Sequence, residues 1–164
     1  SWTDAFSDLT TALATVDSFS EVWVAKGTYL PGRVRSASFV LPGGVLILGG
    51  FAGGETSSSA RDFSKNETIL SGDLGMKGNS ADNSYHVLVP LDGALLDGFI
   101  IEDGNATENF SDDRGKGGAL WAENVAFQIS NCEFRNNWAR QGGGGIWVNE
   151  VNACLLYTSD AADE

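Results

Sequence analysis

Apolar residues Trp2, Phe6, Leu9, Leu13 and Val16 are spaced by four, three, four and three positions, which places them on one face of an α-helix over residues 1–18. Ser1 or Thr3 supplies a cap for it. After Ser20 the period changes from helical to alternating. Val22 and Val24 alternate with Glu21, Trp23 and Ala25, and Lys26-Gly27 turns the chain into Thr28-Tyr29-Leu30. Further short strands are predicted at 38–41, 45–48, 68–70, 85–89, 94–102, 119–122, 125–130 and 145–148, nearly all bounded by Gly, Asn, Asp or Pro. A helix that buries its stripe needs an apolar surface beneath it, and these strands provide one, so the helix is expected to cap a β-structure.

An internal repeat decides between a sandwich and a solenoid. Gly118-Ala119-Leu120-Trp121-Ala122-Glu123-Asn124-Val125 returns as Gly144-Gly145-Ile146-Trp147-Val148-Asn149-Glu150-Val151, at an offset of 26. Leu96 to Ile101 and Asn105-Ala106 return as Ile129 to Phe134 and Trp138-Ala139, at an offset of 33. The difference is absorbed by an inserted loop in the polar stretch 107–116. Short strands and glycine turns at such a period are what stacked coils require, because each coil buries its inner face and pairs its backbone with the next. Roughly five or six coils fit before Ala153. The expectation is therefore an all-β solenoid of parallel strands over residues 1–153, with a short N-terminal capping α-helix at 1–18.

The pattern stops at Ala153. Residues 154–164, CLLYTSDAADE, read as the translation of a transposase end plus sequencing adapter and are set apart from the domain. Without them the formal charge of −12 becomes −9, because Asp160, Asp163 and Glu164 go and no base goes with them. Cys132 is then left without Cys154 as a disulfide partner. A signal peptide would lie upstream of Ser1.

The helix followed by Glu21-Val22-Trp23-Val24-Ala25-Lys26-Gly27-Thr28-Tyr29 resembles the first coil of pectin-lyase-like right-handed β-helix proteins. Gly117-Gly118-Ala119-Leu120 and Phe134-Arg135-Asn136-Asn137 resemble the GGA[ILV] and FxxN repeats of polymorphic outer-membrane proteins and related bacterial surface β-helix proteins, and Leu96 to Ile101 is similar to a common coil segment of such sequences. The resemblance implies that residues 1–153 are the N-terminal part of a right-handed parallel β-helix in a secreted or cell-surface protein. Its relatives include adhesins and enzymes that cut acidic polysaccharides, so the fold alone does not assign an activity.

Charge and chemistry narrow the choice. An acidic chain with a pI near 4.3 and ten scattered Lys and Arg opposes nucleic acid and anionic membranes as partners. No run of about 18 apolar residues is present, so no segment here is expected to insert into a membrane. Of the four hydrolase motifs of the polygalacturonase kind three are absent, and the fourth is met only by Asp112-Asp113 in a loop. The single histidine, His86, has no partner acid at a telling spacing and is expected to be structural. No catalytic residue is assigned and no cofactor is expected, apart from Ca²⁺ on the oxygen-rich loop residues Glu108, Asp112 and Asp113. Asp92, Asp97 and Asp103 adjoin glycines and read as turn residues, Asn131, Asn136 and Asn137 as corner framework, and Cys132 as a small buried hydrophobe.

The ligand-binding candidates are aromatic. Trp121 and Trp147 are repeat equivalents and should stack one coil apart, with Trp138 in the turn between. Facing outward they would form a sugar platform, and facing inward they would fill the core. The function expected is a surface module for adhesion to polysaccharide or to a host or neighbouring cell, without catalysis. The alternative is the non-catalytic front of a lyase or hydrolase acting on acidic polysaccharide.

Overall fold

The computed structural model describes residues 2–108 and 113–150, and residues 153–156 by their backbone alone. Among the described residues fifteen strands alternate through a repeating order: β1 (Glu21–Ala25), β2 (Gly27–Tyr29), β3 (Phe39–Leu41), β4 (Leu46–Phe51), β5 (Thr68–Ser71), β6 (Leu88–Pro90), β7 (Ala94–Asp97), β8 (Ile100–Glu102), β9 (Asn105–Ala106), β10 (Leu120–Glu123), β11 (Phe127–Ser130), β12 (Glu133–Arg135), β13 (Trp138–Ala139), β14 (Ile146–Asn149) and β15 (Ala153–Leu156). Every pairing is parallel. Three long sheets run in the orders β1-β4-β7-β11-β15, β3-β6-β10-β14 and β2-β5-β8-β12, with β9-β13 as a short fourth. The chain visits the sheets in turn, which is the topology of an all-β parallel solenoid.

Register makes the core a set of ladders. Val22, Ile47, Leu96 and Ile129 are successive Cα partners in one sheet, Phe39, Leu88, Leu120 and Ile146 in the second, and Tyr29, Leu70, Ile101 and Phe134 in the third. Most of these side chains are fully buried and pack as one core. Alternation turns the next residue outward, as in β7, β10 and β11, where buried and half-buried positions take turns.

Both sequence offsets appear as strand register. Leu96 pairs with Ile129, Ile100 with Glu133 and Asn105 with Trp138 at 33, while Leu120 pairs with Ile146 at 26. The corners repeat too: left-handed backbone occurs at Gly98 and Asn131, Asp103 and Asn136, Gly117 and Gly143, and Asn124 and Glu150. In the Gly117-Gly118 pair, Gly117 has φ 61°, whereas a Cβ on Gly118 would sit 2.4 Å from the Trp138 carbonyl oxygen. One glycine permits the corner and the other permits close approach of the neighbouring coil.

The helix is shorter than its apolar stripe predicts. A 3₁₀ turn covers Trp2–Asp4, and α1 spans only Leu9–Thr15. Asp8 causes the break: its extended backbone and its side chain, which accepts the Thr11 N–H at 2.6 Å, start a new helix there. Those hydrogen bonds, the Thr11 hydroxyl first and its N–H second, hold the Asp8 carboxyl below its ordinary range. Leu9 and Leu13 are buried beside β3, whereas Phe6 is left exposed. Trp2 instead packs on Trp23 and Phe51, 6.3 and 5.7 Å away, and its indole N–H donates to the Glu55 carbonyl. The strand expected over 94–102 is divided at Gly98, whose φ of 82° turns the chain from one sheet to the next. The strand expected at 85–89 begins only at Leu88. β15 keeps register with β11 from Ala153 through Leu156, three residues into the segment set apart by sequence. Among the described residues no helix is long and apolar enough to cross a membrane.

Candidate functional site

Two outward-facing surfaces carry the residues singled out by sequence. On the first, Trp121 and Trp147 are register partners and alternate with the core residues Leu120, Ala122 and Ile146, so both rings project from the coil. Their centroids lie 6.0 Å apart with planes 7° from parallel. The His86 ring is 6.1 Å from Trp121, and Lys116 Nζ lies 4.6 Å from the Trp147 centroid. The rings are stacked along the solenoid, so each spends a face on its neighbour and the pair ties adjacent coils together. His86 is 9% exposed, and its Nδ1 lies 3.0 Å from the Gly117 carbonyl oxygen. A carbonyl only accepts, so this nitrogen carries the proton.

The second surface is a cleft of about 640 Å³, with Asp73, Lys77, Asn83, Asp103, Asn105 and Trp138 among its walls. The connection between β5 and β6 builds one wall. It is held by local hydrogen bonds: Gly78 N–H donates to Asp73 Oδ2 at 3.0 Å, and Ala81 N–H donates to the Asn79 side chain that caps the turn Ser80–Asp82. Asn83 donates to the Asp103 carbonyl at 2.7 Å, and Asn105 donates to the Ser80 carbonyl, which fastens this connection to the corner after β8. Asp103 and Asn136 form that corner on adjacent coils, with φ of 61° and 56°. Trp138, on β13, is half exposed at 51% and presents the one aromatic ring of the lining.

Two acceptor atoms of the cleft residues have no donor. Asp73 Oδ1 and Asn83 Oδ1 are buried atoms without a hydrogen-bond partner, although Asn83 is only 6% exposed. Burial raises the Asp103 carboxyl above its usual range; the negative charges of Glu102 and Asp73 add to the rise, and Ser71 and Arg135 oppose it. Arg135 is itself held 2.7 Å from Glu102 by an ion pair between coils.

The structure therefore separates the three tryptophans: Trp121 and Trp147 form the stack, and Trp138 lines the cleft. Of the loop carboxylates, Glu108 accepts the Tyr85 hydroxyl at 2.6 Å, Asp113 pairs with Lys116 Nζ at 3.1 Å, and Asp112 lies outside the described residues. Among the described residues no group of three or more His, Cys, Asp or Glu is placed to hold a metal ion. Burial pushes the Cys132 thiol up to about 12, which keeps it protonated and unreactive. Asp92 and Asp97 are coil fasteners: Asp92 accepts the Ala126 N–H, and Asp97 binds Arg61, Ser130 and Asn131. Asp73, Asn83 and Asp103 were not singled out as a site, since each reads alone as a turn residue and only the fold brings them together.

Phe134 and Asn137 explain a motif in the same region. Phe134 packs on the core, and the Asn137 amide bridges to the previous coil, accepting the Gly104 N–H and donating to the Ile101 carbonyl, both at 2.9 Å. Residues 131–149 match the Chlamydia polymorphic membrane protein repeat. The matched span contains Phe134 to Asn137, the Gly143-Gly144 corner and strands β12 to β14, which is most of one coil. A polymorphic membrane protein-like repeat supports a bacterial surface or outer-membrane protein. No curated protein and no solved structure matches the chain.

Proposed function

We propose that the chain is part of a right-handed, pectin-lyase-like β-helix at the bacterial surface, and that its side cleft binds glycan for adhesion, without turnover. The observation that carries this reading is the cleft itself. A half-exposed Trp138 stands beside a wall of amides and carboxylates with unspent hydrogen-bonding capacity. Sugars present apolar C–H faces for an aromatic ring and hydroxyls for fixed polar groups, and such a pairing of surfaces suits them. The Trp121–Trp147 stack is the weaker candidate, because the two rings already face each other at 6.0 Å.

The test is a glycan array probed with the wild type, Trp138→Ala and Trp121→Ala. Binding lost in Trp138→Ala and kept in Trp121→Ala is the expected result. Binding that survives Trp138→Ala would refute the assignment to the cleft, and an array without any bound glycan would refute the function.

A further inference from the structure

Resting on the glycan reading of the same cleft, we infer that it selects amino sugars over uronates: its carboxylates receive an ammonium or amide N–H while Trp138 stacks on the ring. Three observations point the same way. The two buried cleft atoms left without partners, Asp73 Oδ1 and Asn83 Oδ1, are acceptors. Such acceptors call for donors: an amino sugar adds an ammonium or amide N–H to the hydroxyls that every sugar carries, whereas a uronate adds only a further acceptor. Asn83 cannot be turned to supply a donor instead, because its Nδ2 is already committed to the Asp103 carbonyl at 2.7 Å.

Charge is the second observation. Asp73 and Asp103 outnumber Lys77 in the lining, Glu102 stands behind Asp103, and the chain is acidic overall with or without residues 154–164. An anionic sugar entering this field would add a like charge beside carboxylates that already repel one another, whereas a cationic one relieves that repulsion. The third is the shape of the lining: the ring of Trp138 is the exposed apolar element, so a sugar held there meets acids at its polar edge.

The experiment is calorimetric titration of the full chain with glucosamine, N-acetylglucosamine and galacturonate hexamers, with spermidine as a cation that lacks a sugar ring. Glucosamine hexamer should bind about tenfold or more tighter than galacturonate hexamer, as expected for a hydrogen bond between charged groups. N-acetylglucosamine should fall between them. Asp73→Asn should shrink the preference for glucosamine over its N-acetyl form, and Trp138→Ala should abolish binding of both. Galacturonate bound as tightly as glucosamine would overturn this inference and leave glycan binding standing, whereas failure of all three hexamers would overturn both. Spermidine bound equally by the wild type and Trp138→Ala, at the affinity of the glucosamine hexamer, would show a site for charge alone and overturn the sugar assignment. Should Asp73→Asn fail to fold, the ranking of hexamers on the wild type still decides.

Discussion

Asn137→Ala removes an amide that is shared between two coils. Its Oδ1 accepts the Gly104 N–H and its Nδ2 donates to the Ile101 carbonyl, each at 2.9 Å, so truncation strands the Gly104 N–H and takes one donor from a carbonyl of strand β8. The site is tight: a Cβ on Gly104 would lie 3.1 Å from Asn137 Oδ1 and nearer still to the Gly118 carbonyl, which leaves little room for water to replace the amide. A buried group without its partner costs about 1–3 kcal/mol and a lost hydrogen bond about 1 kcal/mol, so the two together should cost about 2–4 kcal/mol. For a chain of this size each kcal/mol lowers the melting temperature by about 2–4 °C. Asn137→Asp should be at least as harmful, since it places a second acceptor against the Ile101 carbonyl. The neighbouring Asn136 gives the control: its φ of 56° calls for left-handed backbone, so Asn136→Gly should be nearly neutral and Asn136→Ala should cost about 1 kcal/mol. Urea and thermal unfolding measure all four. A loss below about 0.5 kcal/mol for Asn137→Ala, within the range of ordinary surface substitutions, would refute the claim that this amide fastens the coils.

Phe19 is 94% exposed with φ 65°, and its N–H donates to the Gly44 carbonyl; Phe19→Gly should raise stability by about 0.5–1 kcal/mol, and a loss in the same unfolding assay would show that the ring has a structural role. Cys132 should resist iodoacetamide at pH 8 in the folded protein and react on unfolding, as read at its own peptide by mass spectrometry; rapid native labelling would contradict its partly buried, protonated state. Glu55 accepts N–H groups from Ala52, Gly53 and Gly54, and these hydrogen bonds, Ala52 first and Gly54 second, lower its carboxyl from 4.5 to about 2. Its stabilisation is complete above pH 4.5 and is lost as pH falls through about 2, so the melting-temperature gap between the wild type and Glu55→Gln should close across that window. A gap unchanged at pH 2 would contradict it.

The later coils were legible because they repeat at nearly constant length. The offsets of 33 and 26 became strand register without adjustment, down to Trp121 opposite Trp147. The earlier coils hid their period: Phe39 pairs with Leu88 and Gly27 with Thr68, with the connections 52–67 and 72–87 between. β12 has a single apolar residue, Phe134, and no alternation long enough to show as a strand; only its echo of β8 marks it. The helical stripe from Trp2 to Val16 was misleading because periodicity does not register a cap, and Asp8 starts the helix midway. The cleft was the least legible feature. Asp73 and Asn83 share the connection 72–87, whereas Asp103 and Trp138 come from other coils, so no regular spacing along the chain links the four, and Asp103-Gly104 carries the signature of a turn whether or not it lines a site. Trp138 was singled out as an aromatic, but its separation from the Trp121–Trp147 pair depends on which sheet each strand joins.

The decisive measurement is a titration of ¹⁵N-labelled protein with the oligosaccharide bound best on the array, following the indole N–H signals of the tryptophans. Glycan binding in the side cleft requires the Trp138 signal, together with the side-chain amides of Asn83 and Asn105, to shift saturably while Trp121 and Trp147 stay in place. Shifts centred on Trp121 and Trp147 with Trp138 unmoved would contradict the assignment and return the binding surface to the stacked pair.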